Sequence, residues 1–192
     1  MKPHYPVICI LTLLSSCDNS KKVNDKPYQF KESDLSAIEP TDDSVRIVAK
    51  KIIKGESIWG SNEDYLFSIF DSLRSSNPET RLICFLAFAE ICEQADGYVG
   101  EAIGGYVLKY FEYDPIEFMR NSKRISDSTF QDMGYSAGWE IFMSNDSNPD
   151  SALDIFISTA RRNTHELDTT DQKRLKSFFS RMKEGLDSNS EN

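Results

Sequence analysis

The most informative functional pattern in the sequence is a group of three tyrosines. Tyr106, Tyr110 and Tyr113 lie four and then three residues apart, so a helix would place them along one face. Glu112 and Asp114 flank the end of this stripe. Tyrosine is enriched at recognition surfaces because its ring offers a large contact area at low entropic cost. The stripe therefore predicts a binding surface, although a half-buried stripe with hydroxyls at the rim fits the same spacing.

Histidine, on which most nucleophilic mechanisms depend, is nearly absent. The chain has 2 histidines, and only His165 lies outside the N-terminal segment. Both Ser–His–Asp and Cys–His catalysis would need this residue beside a nucleophile. Cysteines with the spacing of zinc ligands are lacking, and no phosphate-cradling glycine loop follows a strand pattern. We therefore expect His165 to be a surface residue, and we expect neither a metal nor a cofactor.

Carboxylates leave one enzymatic hypothesis open. Glu90, Glu101 and Glu140 lie on otherwise apolar helical segments, and two acids that meet in the fold can hydrolyse a glycosidic bond. Solvation of each side chain on a helix surface explains the same residues more simply. A carboxylate-based cell-wall hydrolase is therefore the third functional hypothesis.

The segments that must position these residues are helical. Apolar residues recur at helical spacing from Asp43 onward, and Asn77-Pro78, Asp114-Pro115 and Asn148-Pro149 are typical helix starts. The last helix is predicted over 170–184, with Gly185 as its end. These patterns predict an all-α protein of about eight helices, with antiparallel hairpins in a compact bundle or a short stack. The arrangement loosely resembles a degenerate HEAT-type helical stack.

Glycines inside one predicted helix indicate close packing. Gly100, Gly104 and Gly105 belong to the helix that carries the tyrosines. An interior glycine costs roughly 0.5–1 kcal/mol relative to alanine. We therefore expect another helix or a ligand to approach this helix closely. Gly134 and Gly138 lie one turn apart on a later helix.

Cysteine usage gives no disulfide framework. Cys84 and Cys92 fall on one predicted helix, where eight residues correspond to about 12 Å of rise. A disulfide needs Cα atoms within about 7 Å. Both residues are therefore expected to be small buried hydrophobic side chains.

The first seventeen residues have a different character. Lys2 precedes a short apolar run, Val7–Leu14, and the segment ends Leu14-Ser15-Ser16-Cys17. An eight-residue run is too short to span a bilayer, which needs about 20 residues, but suits a signal peptide. The segment resembles the signal peptide and lipobox of bacterial lipoproteins. The resemblance implies lipidation of Cys17 and a membrane anchor in the cell envelope, on the periplasmic or the surface side.

This resemblance also divides the chain. Residues 1–16 would be the signal peptide, and residues 17–42 the lipidated cysteine with a flexible, polar tether. A single helical domain would follow over 43–186, and residues 187–192 would form a frayed tail.

Charge excludes one class of partner and distinguishes two parts of the chain. The net charge of −9 argues against nucleic acid. Between Glu63 and Asp150 there are 16 acids and 6 bases, whereas Arg161–Lys183 holds 7 bases and 3 acids. We expect the basic end of the chain to dock on the acidic body.

These observations lead to three hypotheses in order of preference. The first is a non-enzymatic binding or adaptor module, held at the envelope by lipid and recognising a protein partner of unknown identity. The alternative is a periplasmic immunity protein that neutralises a toxin, because an acidic helical protein suits a basic active site. The hydrolase described above comes third.

Overall fold

The computed structural model describes residues 41–56, 63–95, 97–145 and 147–190. The predicted signal peptide, Cys17 and the predicted tether up to residue 40 lie outside the described residues. Within the described ranges, every helix is too short or too polar to cross a membrane.

Eight α-helices account for most of the described residues, and these residues contain no β-strand. The prediction of an all-α protein is therefore confirmed. In chain order the helices are α1 (Asp42–Ile53), α2 (Glu63–Asp71), α3 (Pro78–Gln94), α4 (Gly97–Tyr113), α5 (Pro115–Ser122), α6 (Asp127–Ser144), α7 (Pro149–Asn163) and α8 (Thr169–Ser190), and a 3₁₀ turn, Ser72–Arg74, extends α2.

The three predicted Pro-containing helix starts are all confirmed. The side chain of Asn77 accepts hydrogen bonds from the backbone at the start of α3, and Asp114 and Asn148 do the same for α5 and α7. In each case proline occupies the first helical position, where its missing N–H leaves no hydrogen bond unmade. Local sequence therefore sets where these helices begin.

The helices pack as a compact bundle around α3 and α6. α3 packs against α1, α2 and α6, whereas α6 packs against α3, α4, α7 and α8. The largest interfaces join alternate helices, namely α1 with α3, α4 with α6, and α6 with α8. Aromatic rings fill much of the centre: the Phe118 and Phe178 ring centroids lie 5.4 Å apart, and those of Phe130 and Phe178 5.1 Å.

Glycines allow the close approach of α6 to its two main neighbours, which confirms the expectation at Gly104. A Cβ atom added at Gly104 would lie 2.8 Å from the carbonyl carbon of Ser136 on α6, and closer still to its oxygen. At Gly138 it would lie 2.6 Å from the carbonyl carbon of Met182 on α8. Gly105 differs, because an added Cβ would make only ordinary contacts with Glu140, the nearest at 3.7 Å.

The predicted end of the last helix at Gly185 is wrong, since α8 continues to Ser190. Gly185 is buried, and an added Cβ would lie 2.9 Å from the carbonyl carbon of Tyr135 on α6. Leu186, the next residue, is 1% exposed. This glycine therefore serves helix packing, and burial of Leu186 keeps the following turn helical.

Candidate functional site

An open groove of about 440 Å³ lies between α4, α6 and α7. We call it the apolar groove. Helices α4 and α7 supply most of its walls, and the end of α6 and the first residue of α5, Pro115, contribute the rest. Its lining consists of Leu108, Phe111, Glu112, Pro115, Ile141, Asn145, Ala152, Ile155, Phe156, Thr159, Ala160 and Asn163.

The floor of the apolar groove is part of the protein core. Phe111, Ile141 and Ala160 are each at most 5% exposed. The ring of Phe111 lies 5.4 Å from that of Phe156, which joins α4 to α7 beneath the groove. Ile155 is 64% exposed. An apolar side chain from a partner would therefore meet a packed floor and an aliphatic rim.

Polar groups surround this floor. Glu112, Thr159 and Asn163 are exposed on the rim. The amide of Asn145 donates a 2.9 Å hydrogen bond to the carbonyl oxygen of Ile141, which fixes the amide at the end of α6. Ligand sites combine an apolar interior with a few placed polar groups in this way.

The chemistry available in the apolar groove is recognition. Glu112 is the one charged side chain in its lining, and the other polar groups are amides and a hydroxyl. No group of three or more His, Cys, Asp or Glu residues that could hold a metal ion occurs among the described residues. An apolar segment with hydrogen-bonding groups at its edge, or with a cation facing Glu112, matches this lining.

Tyr110 does not belong to an exposed stripe, contrary to the sequence prediction. It is 1% exposed and packs between Phe85 and Phe118, with ring centroids 5.6 and 5.7 Å away. Its hydroxyl accepts a 2.9 Å hydrogen bond from the amide of Asn121, and burial raises the pKa of the phenol. Because the hydroxyl has a buried partner, the side chain has no need to reach the solvent.

The two flanking tyrosines have different surroundings. Tyr106 is half-buried, with its ring centroid 5.0 Å from that of Phe70 and the ammonium of Lys109 4.8 Å above its face. Tyr113 is 49% exposed, and the guanidinium of Arg81 lies 5.7 Å from its ring centroid. Of the predicted stripe, only Tyr113 is largely free to contact a partner.

The two predicted acidic residues also separate. Glu112 is exposed and lines the apolar groove. Asp114 accepts a 2.8 Å hydrogen bond from the backbone N–H of Glu117 and so caps α5. Glu112 is therefore the one residue of the predicted surface that lines the groove.

Most of the groove was missed by the sequence-based prediction because its residues come from four helices. Only α7 carried a usable local signal, since Ile155, Phe156 and Ile157 form an apolar run broader than a single inward stripe requires. The excess residue Ile155 is the exposed one.

The remaining candidate residues have ordinary surroundings. His165 is exposed, as expected, with its Nδ1 atom 2.8 Å from the carbonyl oxygen of Arg162. Glu101 is exposed in a separate notch beside Trp139, whereas Glu140 accepts a 2.7 Å hydrogen bond from Ser144. The hydrolase hypothesis stays a prediction.

The two cysteines on α3 are free, as predicted. Cys84 is completely buried, and Cys92 packs against the core from a partly buried position. Burial raises the pKa of the Cys84 thiol to about 11 and raises that of Cys92 as well. Both thiols are therefore protonated and unreactive at neutral pH.

No protein-family model, no curated protein and no solved structure matches the chain significantly.

Proposed function

We propose that the protein is a non-enzymatic binding module of the bacterial cell envelope, anchored by lipid on Cys17. Its apolar groove would bind a protein partner through an aliphatic side chain. The observation that carries this proposal is Ile155, which is 64% exposed on the rim of a groove whose floor belongs to the core. Exposed apolar surface rimmed by polar groups is typical of interaction sites.

The partner's chemistry follows from the lining. An aliphatic side chain would cover Phe156 and Ile155 and remove their apolar surface from water, which contributes about 25 cal/mol per Å². Glu112 on the rim favours a lysine or arginine at the edge of the same segment. We therefore expect an amphipathic segment with a basic flank.

The test is capture of partners from an envelope extract of the native organism by the full chain and two variants. Ile155→Arg should abolish capture, because it places a charge at the groove. Ile47→Arg is the matched control, since Ile47 is 39% exposed on α1, outside the groove lining. Equal recovery of every protein by both variants, or recovery of none by the unmodified chain, would contradict the proposal.

The lipid anchor is tested separately. The lipobox residues up to Cys17 support it, and the expected lipid should carry the protein into the detergent phase on phase separation. Cys17→Ser should keep the protein in the aqueous phase. Partitioning that is unchanged by this substitution would contradict the anchor and leave the groove proposal standing.

An immunity protein is the second candidate, favoured by the net charge of −9 and by Glu112 on the rim. It predicts one basic, toxic partner bound tightly, together with protection of cells that produce the protein. Capture of several unrelated proteins without protection would favour the adaptor.

A further inference from the structure

A second groove, of about 320 Å³, lies on the other side of α7, between its end and the first turns of α8. We call it the basic groove. Three cationic side chains line it: Arg161 from α7, and Lys173 and Lys176 from α8. Lys173 and Lys176 are three residues apart, so they share one face of α8. No carboxylate contributes to the lining.

These three cations differ from Arg174 and Lys183 of the same stretch, which form ion pairs. Arg174 pairs with Asp127, and Lys183 pairs with Asp150. The expected docking of the basic end on the acidic body is therefore confirmed for these residues. Arg161, Lys173 and Lys176 have no ion-pair partner among the residues that the structure describes.

The walls of the basic groove are held in place by buried hydrogen bonds. The amide of Gln172 on α8 donates to the carbonyl oxygen of Thr164 at a distance of 2.6 Å. Thr164 is completely buried, and its hydroxyl donates to the carbonyl oxygen of Ala160 at 2.7 Å. These bonds tie the end of α7 to α8. The groove is therefore formed before a ligand arrives, which reduces the entropy lost on binding.

The floor beneath the cations is apolar. Leu175 is 1% exposed and Phe179 is 6% exposed. A carboxylate between the two walls would be partly removed from water, and ion pairs are stronger where the effective dielectric constant is lower. The methylene stem of an acidic side chain would lie on the floor.

We propose that the basic groove binds an acidic peptide segment of a partner protein, with two or more carboxylates facing Arg161, Lys173 and Lys176. Charge complementarity carries this assignment: the lining of the groove holds three cations and no carboxylate, although the molecule as a whole has a net charge of −9. A membrane surface fits less well, because the apolar residues of this groove are recessed and cannot insert between lipids. The inference is independent of the apolar groove.

The experiment measures fluorescence anisotropy of a labelled peptide of alternating glutamate and leucine as it binds the full chain. A peptide in which glutamine replaces glutamate tests the charge requirement. The Lys173→Gln/Lys176→Gln variant should bind the acidic peptide about tenfold more weakly than the unmodified chain. Both lysines are exposed, so the core is untouched.

The matched control is Lys50→Gln/Lys54→Gln, which removes the same charge from exposed positions at the end of α1. It should leave peptide affinity unchanged, as should Ile155→Arg in the apolar groove. Equal weakening by the control, equal binding of the glutamine peptide, or binding only to vesicles of anionic phospholipid would overturn the proposal. The two proposals can fail separately. If the unmodified chain captures no partner but still binds the acidic peptide, the proposal for the apolar groove fails and the one for the basic groove stands.

Discussion

Replacing Gly104 with alanine should destabilise the protein, whereas the same replacement at the adjacent Gly105 should stabilise it. Both glycines lie in the interior of α4, and neither has a positive φ angle. Alanine is favoured over glycine in a helix interior by about 0.8–1 kcal/mol. The intrinsic gain is therefore the same at both positions, and only the contact with α6 differs.

The magnitude follows from the distances across the interface. At Gly105 the added methyl would meet the carboxyl group of Glu140 at 3.7 Å, which is an ordinary contact. At Gly104 it would lie 2.8 Å from both the carbonyl carbon of Ser136 and the Cβ atom of Glu140. Carbon atoms pack at about 3.5–4.0 Å, so α4 and α6 would have to separate by about 1 Å.

That separation weakens dispersion along the whole interface, because a gap of about 0.5–1 Å loses a quarter to a half of each contact's attraction. Overpacking typically costs about 1–3 kcal/mol. We therefore expect the free energy of unfolding to fall by up to about 2 kcal/mol for Gly104→Ala, because the helix gain of about 1 kcal/mol offsets part of the overpacking cost, and to rise by about 1 kcal/mol for Gly105→Ala.

Urea unfolding, followed by the circular dichroism of the helices, measures both variants. The expected difference of about 1–3 kcal/mol should appear as a shift of the midpoint at unchanged slope. If Gly104→Ala proves as stable as Gly105→Ala, the close approach of α4 to α6 is wrong.

Three further predictions concern buried groups. Between pH 9 and about 11 the Cys84 thiol should lower the free energy of unfolding by up to about 3 kcal/mol, because burial raises its pKa to about 11 and the unfolded chain loses this proton first. A pH series of urea titrations should show the loss, and Cys84→Ala should make it smaller by this amount. The remaining loss comes from Cys92 and Tyr110, because burial raises the pKa of both groups as well. Glu117→Gln should lower the free energy of unfolding by about 3–5 kcal/mol, because it leaves the guanidinium of Arg81 buried without its counter-charge. A decrease of less than about 1 kcal/mol in urea unfolding would refute this prediction. Leu186→Ala should lower the free energy of unfolding by about 2–5 kcal/mol, because Leu186 is buried. Asp187→Ala, on the exposed face of α8, should change it by about 0.5 kcal/mol at most. If thermal unfolding shows equally small effects for both variants, the core ends at Gly185.

The helices could be predicted because their signals are local. Asn77 caps α3 through backbone groups only two and three residues away, and Pro78 acts on the same turn. Gly185 misled the prediction because a glycine at a helix end and a glycine at a helix crossing look alike in sequence. Only the position of Tyr135 on α6 distinguishes them.

The candidate site was predictable only in fragments. The place of Glu112 beside the tyrosines predicts its role in a binding surface, but most of the floor and of the opposite wall of the apolar groove come from α6 and α7. The helical spacing of Tyr110 from Tyr106 and Tyr113 predicts that all three side chains share one surface. Its burial depends on Asn121, which lies on α5 and offers the hydroxyl a partner inside the core.

By itself the sequence determined the helical class, the helix starts and the expected close approach at Gly104, because caps, proline and glycine act on the backbone within a turn. The resemblance at Cys17, which also depends on a short segment, predicts an anchor. The tertiary structure alone decided that α6 is the helix that meets Gly104, that Gly138 is the contact point with α8, that Tyr110 faces inward, and that Arg161 joins Lys173 and Lys176 around one groove. These outcomes depend on contacts between separate helices, and no local pattern specifies which neighbour a side chain meets.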